Sequence, residues 1–168
     1  MALYLIEFPD APDEVADLFA RAAERAVAAR AEVIERQHAT GLRRAYLVVS
    51  AADPEGLRGR LRDLPAHEVS EVRLVGATLE QARRANGDAN FLVEWDLPEG
   101  LTMDRYLTRK KEKAPLYAKV PEVSFRRTYV REDMDKCLCL YDAPDEDCVR
   151  RARDAVETPI DRLSGLER

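Results

Sequence analysis

The sequence lacks the features that mark several large classes of protein. Its 168 residues include only three cysteines, two histidines and one tryptophan. Cys137, Cys139 and Cys148 give no disulfide framework, and no second Cys or His pair would complete a zinc site with the Cys-x-Cys pair. No apolar run reaches membrane-spanning length, and no charged-then-apolar leader precedes the first predicted strand. We therefore expect a cytoplasmic protein that does not contact a membrane.

The charge balance argues against a nucleic-acid partner. The net charge is −5, and a content of 46% apolar and 35% charged residues is ordinary for a folded soluble protein. Residues 109–113 (RKKEK) form a local basic run, which on a helix is usually a solvated face. His38 falls on a predicted hairpin and His67 precedes a predicted strand, so we assign both to the surface or to a sheet edge.

The main positive feature is an internal repeat spaced by most of a small domain. Residues 4–8 (YLIEF) and 91–95 (FLVEW) share the order aromatic, aliphatic, glutamate, aromatic. Residues 51–57 align without a gap with residues 143–149. A repeat of this length indicates two complete units rather than a solenoid of short repeats.

Each half carries the signals of six elements in the order βαββαβ. The first half is predicted to contain a strand at 3–8, a helix from Pro12, hairpin strands at 33–40 and 44–50, a helix from Asp53 and a strand at 69–75. The second half is predicted to contain a strand at 90–96, a helix at 102–113, hairpin strands at 123–131 and 136–142, a helix at 145–156 and a strand near 160–167. This order is that of the ferredoxin-like sandwich. We predict an α+β fold with units at 1–76 and 90–168, joined by a connector at 77–89.

A ferredoxin-like sheet leaves one face uncovered by its own helices. Because an open apolar face is unstable in water, it must pair with another sheet or bind a ligand. We predict that the two sheets meet face to face as a pseudo-dimeric α+β barrel, whose lumen accepts a small-molecule ligand. The alternative is a pair of side-by-side domains that assemble between chains as a homodimer.

A glutamate lies at the centre of both predicted first strands. Alternation along a strand places Glu7 and Glu94 on the open face, opposite the large residues that suit the helix-covered face. Burying an unpaired carboxylate is costly, so each glutamate either meets an arginine or solvent, or serves as metal ligand, proton acceptor or substrate anchor. No cofactor is predicted; if a divalent metal is bound, Glu7 and Glu94 are its candidate ligands.

The same alternation supplies the other candidates for a site in the lumen. It assigns Leu138 and Leu140 to the helix side of their strand. The predicted lumen residues of the second half are Glu94, Arg127, Tyr129, Cys137, Cys139 and Tyr141. The first half is predicted to contribute Glu7, Glu35, Gln37, Leu47 and Val49. The structural alternatives are an Arg127–Glu94 ion pair, packing tyrosines and small buried cysteines.

The second half resembles a bacterial ferredoxin-like family, one branch of which is described as nickel-binding or nickel-responsive. The resemblance covers residues 90–166 and rests on residues 91–94 (FLVE), on Tyr129 and Val130 of the hairpin, and on residues 139–146 (CLYDAPDE). The first half is a more divergent copy. The resemblance implies a ferredoxin-like fold and a paired-sheet assembly.

The resemblance also implies a nickel-binding histidine two residues before the hairpin tyrosine. That position is Arg127 here, and arginine cannot ligate a metal because it stays protonated. A second histidine that the family often carries in the second helix is absent between Asp145 and Glu157. High-affinity nickel binding is therefore not expected, since nickel favours imidazole nitrogen.

Three functions remain in order of preference. The first is a small-molecule-binding protein, accessory to metabolite biosynthesis, with Glu94, Arg127 and Tyr141 as polar anchors. The second is a cofactor-independent cyclase, isomerase, dehydratase or monooxygenase, with Glu94 as acid or base and Tyr129 or Tyr141 as hydrogen-bond donor. The third is a divalent-metal-binding or metal-responsive protein. A raised pKa of Glu94 would favour catalysis, and a lowered pKa would favour binding.

Overall fold

The computed structural model describes residues 1–85 and 87–167. The first half contains β1 (Ala2–Phe8), α1 (Ala16–Ala28), β2 (Glu32–Ala39), β3 (Arg44–Ala51), α2 (Pro54–Arg60) and β4 (Glu68–Val75). The helix α3 (Leu79–Arg84) follows in the predicted connector. The second half contains β5 (Phe91–Asp96), α4 (Met103–Lys113), a 3₁₀ helix (Ala114–Lys119), β6 (Ser124–Arg131), β7 (Lys136–Asp142), α5 (Glu146–Ala155) and β8 (Arg162–Gly165). Both halves thus follow the predicted βαββαβ order.

The strands form one antiparallel sheet in the order β2-β3-β1-β4-β6-β7-β5-β8. The two halves join where β4 pairs with β6, from Val72 opposite Arg131 to Val75 opposite Thr128. The free edges of the sheet also meet, because Ala39 after β2 forms an antiparallel bridge with Leu166 after β8.

Both junctions join the fourth strand of one half to the second strand of the other, as a pseudo-twofold axis requires. The sheet therefore closes on itself. The predicted fold, two tandem ferredoxin-like units packed as an α+β barrel, is confirmed.

Three apolar cores follow from this closure. One fills the inside of the barrel and includes Leu5, Val48, Leu92, Tyr129, Leu138 and Leu140. The second lies between the outer face of the first half and its helices, and includes Ile6, Phe8, Leu18, Leu47 and Leu57. The third lies between the outer face of the second half and its helices, and includes Val93, Trp95, Tyr106, Cys139 and Val149. Each sheet is thus buried on both faces.

The helices begin where the sequence places capping residues, with one exception. Asp53 Oδ1 accepts from Gly56 N at 2.9 Å, and Asp145 Oδ1 accepts from Cys148 N at 2.8 Å, so both predicted N-caps are confirmed. The first helix begins at Ala16 rather than at the predicted Pro12, without a side-chain cap. None of the helices within the described ranges is long and apolar enough to cross a membrane.

Candidate functional site

The barrel interior contains the two repeated glutamates but not all of the predicted lumen residues. Glu7 and Glu94 both point inward and are buried, as predicted. Residues directly opposite each other on neighbouring strands share a face. Glu7 pairs with Tyr46, so Tyr46 is inward and Leu47 packs on the helix side. Val49 lies on the helix side for the same reason, so the predicted inward positions of Leu47 and Val49 are wrong.

The facing predicted for β7 is reversed. Leu92 pairs with Leu140, and Glu94 pairs with Leu138, which places both leucines inside the barrel. Cys139 and Tyr141 therefore belong to the helix-side core of the second half. Cys137 shares their face. The sequence shows alternation along β7 but not the register of its pairing, and a shift by one residue exchanges the two faces.

A bulge in β6 separates residues that simple alternation would place together. The pairing with β7 shifts between Phe125 and Arg127. As a result, Phe125 packs in the helix-side core, while Arg127 and Tyr129 point into the barrel. The predicted inward direction of Arg127 and Tyr129 is confirmed, but the common face predicted for Phe125 is wrong because a bulge adds one residue to the alternation.

Glu7 and Glu94 meet in a network of charges that crosses the barrel. Lys136 Nζ lies 2.8 Å from Glu7 Oε1 and 3.1 Å from Glu94 Oε1. Arg44 Nη1 lies 2.5 Å from Glu94 Oε2 and 3.5 Å from Glu7 Oε1. Arg162 donates to Glu94. We call this set, completed by Asp96 and Tyr46, the Glu94 network.

The network contains equal numbers of carboxylates and cations. Asp96 is the third carboxylate and accepts from Arg162 Nη1 at 3.0 Å. The hydroxyl of Tyr46 donates to Glu94 Oε1 at 2.7 Å. Burial alone would raise the pKa of Glu94, but Lys136, the hydrogen bonds from Arg162 and Tyr46, and the charge of Arg44 together lower it. Glu94 is therefore a stable anion and a weak base.

Arg127 belongs to a second ionic cluster and does not contact Glu94. Its Nε lies 2.7 Å from Glu35 Oε1, and its Nη1 lies 2.8 Å from Asp88 Oδ2. Gln37 Nε2 donates to Glu35 Oε1 at 3.4 Å. The predicted Arg127–Glu94 pair is wrong, because the partner of Arg127 comes from β2 and from the segment before β5.

Packing leaves little space between these two ionic clusters. The cavity that remains inside the barrel has a volume of about 10 Å³ and is lined by Leu5, Glu35, Gln37, Tyr46, Val48, Leu92, Tyr129, Leu138 and Leu140. This is close to the volume that one water molecule requires. The hydroxyl of Tyr129 is buried and has no hydrogen-bond partner among the described residues. The lumen as the structure presents it holds no organic molecule.

A much larger cavity lies outside the barrel, in the helix-side core of the second half. It has a volume of about 220 Å³ and lies between α4, the 3₁₀ helix and the outer face of the sheet. We call it the α4 cavity. Its apolar walls include Val75, Trp95, Leu107, Phe125 and Val156. Gly76 adjoins Phe125 with a φ of 85°, and a Cβ there would lie 2.6 Å from the Phe125 ring, so only glycine permits this wall.

Several polar groups border the α4 cavity, and two of them are predicted site residues. Cys139 lines the cavity directly. The hydroxyl of Tyr141 lies 2.7 Å from the hydroxyl of Tyr117, which also lines the cavity. Arg153 Nη1 donates to Tyr141 Oη at 3.0 Å and approaches Cys139 Sγ at 3.5 Å. Burial raises the pKa of Tyr117 to about 12, so its hydroxyl is neutral at physiological pH.

Cys139 is the buried thiol of this group. Its Sγ accepts from Thr128 Oγ1 at 3.2 Å and lies 3.9 Å from Cys137 Sγ. The Cys137 thiol, together with the positive charges of Lys110 and Arg153, lowers the pKa of Cys139 against the opposing effect of burial.

The basic run of α4 covers the opening of the cavity rather than facing only solvent. The guanidinium of Arg109 lies 5.3 Å from the centre of the Trp95 ring. Lys110 Nζ lies 4.3 Å from the centre of the Phe125 ring. Both cations thus lie over aromatic side chains of the cavity wall, an arrangement that stabilises each of them.

The sequence analysis missed Arg153, although the sequence contains a signal for it. In α5, the buried residues Val149 and Ala152 define the face that packs on the sheet. Arg153 is four residues after Val149 and therefore lies on the same face. An arginine on the apolar face of a helix is unexpected and is the residue that points to this cavity.

The described residues do not fit a nickel site. They contain no group of three His, Cys, Asp or Glu side chains that could hold a metal ion. His38 is buried at the seam of the barrel rather than exposed as predicted, and its partner is a single carboxylate. His67 contacts a backbone carbonyl instead. Between Glu7 and Glu94, the ammonium of Lys136 takes the position that a bridging cation would need.

Comparison with known proteins supports the fold and the resemblance of the second half. Residues 91–165 match a family model described as "Nickel responsive protein SCO4226-like". The resemblance seen in the sequence is therefore confirmed for the second half. No curated protein matches the chain.

Two solved structures are similar over nearly the whole chain. One, described as "Putative Chlorite dismutase TA0507", has 14% identity and a TM-score of 0.51, covering 100% of this chain and 96% of that chain. The other, described as "Putative monooxygenase (FN1347)" from Fusobacterium nucleatum subsp. nucleatum, has 10% identity and a TM-score of 0.43, covering 98% and 90%. At such identities, the first similarity shows the fold alone.

Proposed function

We propose that this protein binds a small, mainly apolar molecule of about the size of one ring in the α4 cavity. The observation that carries the proposal is the difference in volume, about 220 Å³ in the α4 cavity against about 10 Å³ inside the barrel. An apolar cavity of roughly 150 Å³ is large enough to bind benzene. The α4 cavity therefore has room for one ring and a short polar substituent.

The polar groups at this cavity support binding with a defined orientation. Ligand pockets are typically apolar with a few placed polar groups that fix how the ligand lies. Here, those groups are Tyr117, Cys139 and Arg153, which border an otherwise mostly apolar wall. Cys139 and Tyr141 thus remain candidate ligand-binding residues, in a different compartment from the predicted one.

The Glu94 network supports a structural role for the repeated glutamates. Because the pKa of Glu94 is lowered, this carboxylate is a poor proton acceptor near neutral pH. It is also fully buried, and its partners include Arg44, Tyr46, Lys136 and Arg162. This favours the binding function over an enzyme that uses Glu94 as acid or base.

The proposal is tested by titrating the protein with single-ring compounds while monitoring its fluorescence. The only tryptophan of the chain, Trp95, lies in the wall of the cavity. We expect at least one of phenylacetate, phenylacetamide and benzyl alcohol to change its emission saturably.

Leu107→Phe adds a ring inside the cavity and should weaken this binding by at least about tenfold, since the ligand and the new ring need the same space. Leu79→Phe is the matched control, because Leu79 is also a partly buried helical leucine but lies in α3, away from the α4 cavity. If none of the three compounds binds, or if Leu107→Phe binds them as the unaltered protein does, the proposed function is wrong.

A further inference from the structure

We infer that the α4 cavity selects an anionic ligand, a single-ring carboxylate whose charged group is bound by Arg153 and Tyr117. This inference rests on the proposed function and specifies the chemical class of its ligand. The residues that carry it lie on α5 and on the 3₁₀ helix, opposite the apolar wall that would receive the ring.

The hydrogen bonding of Arg153 is incomplete. The side chain is only 2% exposed. Nη1 donates to Tyr141 Oη at 3.0 Å, and Nη2 donates to the backbone oxygen of Pro159 at 2.5 Å. Nε is buried and has no hydrogen-bond partner among the described residues. A buried donor without a partner is costly, so a ligand that accepts from Nε would stabilise the site.

Arg153 differs from the other buried cations of this chain in its partners. Arg127, Arg131 and Lys136 are also buried, and each forms ion pairs with at least two carboxylates. Within residues 1–85 and 87–167, no carboxylate oxygen lies within 4.0 Å of a nitrogen of Arg153. Buried charges in proteins are normally paired. The fold thus supplies counter-ions to its other buried cations and leaves this one for a ligand that enters the cavity.

The tyrosines beside Arg153 provide a second donor for the same anion. Tyr141 Oη accepts a hydrogen bond from Arg153 and lies 2.7 Å from the hydroxyl of Tyr117. The cation polarises Tyr141 so that its proton is best donated to Tyr117. The proton of Tyr117 is then free to be donated into the cavity that this residue lines. A carboxylate has two oxygens and can accept from Arg153 Nε with one and from Tyr117 with the other.

The opening of the cavity also favours an anion. Arg109, Lys110, Lys111 and Lys113 all border it. Lys110 contacts the Phe125 ring, and no carboxylate pairs with it in the part of the chain that the structure describes. Clustered cations around a low-dielectric opening raise the local concentration of anions. Because the walls are mainly apolar, a compact inorganic anion would leave most of the cavity empty, whereas a ring with one carboxylate would fill it.

The inference is tested by comparing phenylacetate with phenylacetamide, which have nearly the same shape but differ in charge. Affinities are measured by Trp95 fluorescence and by calorimetry. We expect phenylacetate to bind at least about tenfold more tightly, which is the effect of one charge-assisted hydrogen bond. Arg153→Met should bring the two affinities within about twofold of each other. Lys110→Met should weaken phenylacetate binding by a smaller factor, and Arg105→Met, an exposed cation of the same helix outside the cavity, should not change it.

The outcomes separate this inference from the proposed function. If phenylacetate and phenylacetamide bind the unaltered protein equally well, the inference is wrong, the proposed function stands, and Tyr141 and Cys139 suffice as partners of Arg153. If neither binds, both are wrong. Because the comparison of the two compounds uses the unaltered protein, it remains decisive even if Arg153→Met fails to fold. A preference for phenylacetate that persists in folded Arg153→Met would also contradict the role of Arg153.

Discussion

Lys136 on β7 of the second half donates to Glu7 on β1 of the first half, with its Nζ 2.8 Å from Glu7 Oε1. Arg44 on β3 makes the reciprocal contact, with its Nη1 2.5 Å from Glu94 Oε2. Glu7 pairs with Tyr46 in the sheet, and Glu94 pairs with Leu138, so Arg44 and Lys136 occupy equivalent positions two residues earlier. Each half therefore supplies one carboxylate and one cation, and the pairs cross between the halves.

The contact between Glu7 and Lys136 should be energetically coupled. A double-mutant cycle with Glu7→Gln and Lys136→Met, measured by urea unfolding, is expected to give an interaction energy of about 0.5–3 kcal/mol. The reason is that both groups are buried and in direct contact. Additivity of the two changes, within about 0.5 kcal/mol, would show that the crossed ion pair does not form.

Removing the charge of Glu94 should destabilise the barrel strongly. In Glu94→Gln, the cations Arg44, Lys136 and Arg162 lose a shared carboxylate. We expect a loss of roughly 3 kcal/mol in the free energy of unfolding, at the low end for a broken buried pair because Arg44 and Arg162 are partly exposed. Glu55→Gln removes an exposed helical ion pair and should have no measurable effect. Equal stabilities of the two variants would contradict the account.

The stabilisation by Glu94 should disappear in acid. The pKa of Glu94 is lowered in the folded protein, so the folded state binds fewer protons than the unfolded state near that pKa. Its contribution is therefore fully present above the unfolded value of about 4.3 and is lost as the pH falls through the folded pKa. Unfolding curves recorded from about pH 7 to about pH 3 should show the difference between the unaltered protein and Glu94→Gln shrinking. A difference that stays constant across this range would exclude the lowered pKa.

Two tyrosines inside the barrel should respond differently to loss of the hydroxyl. Tyr46 donates to Glu94 at 2.7 Å, so Tyr46→Phe should cost about 1.5–3 kcal/mol of stability. The buried hydroxyl of Tyr129 has no hydrogen-bond partner among the described residues, so Tyr129→Phe should leave stability unchanged or raise it. Chemical denaturation of the two variants makes the comparison. A loss in Tyr129→Phe as large as that in Tyr46→Phe would reveal a hydrogen bond from Tyr129, for which Glu35 is the nearest candidate acceptor.

The sequence predicts the fold well because the repeat and the strand and helix patterns are local signals. Glu7 and Glu94 could be identified because the same unusual residue recurs at the centre of two strands. Their partners could not be identified, since Lys136 and Arg44 reach them only after β1, β3, β5 and β7 have paired. An acidic residue in a strand shows that a partner is needed, but the register of the sheet decides which one it is.

The candidate site was misplaced for two physical reasons. The faces of Cys139 and Tyr141 depend on pairing between β5 and β7, which a single strand does not reveal. The bulge before Arg127 also interrupts the alternation that would otherwise relate Phe125 to Tyr129. The volume left after packing is a property of the whole fold, so no local pattern shows that the barrel is filled and that the space lies beneath α4.

The most direct test of the account is a crystal structure of the protein soaked with 4-bromophenylacetate, in which the anomalous signal of bromine locates the ring. We expect one bromine peak in the α4 cavity between Trp95 and Phe125, with the carboxylate of the compound against Arg153. A peak inside the barrel beside Leu5 and Leu140 would contradict the account. So would a soaked crystal with no peak in the α4 cavity at a concentration that saturates the change in Trp95 fluorescence.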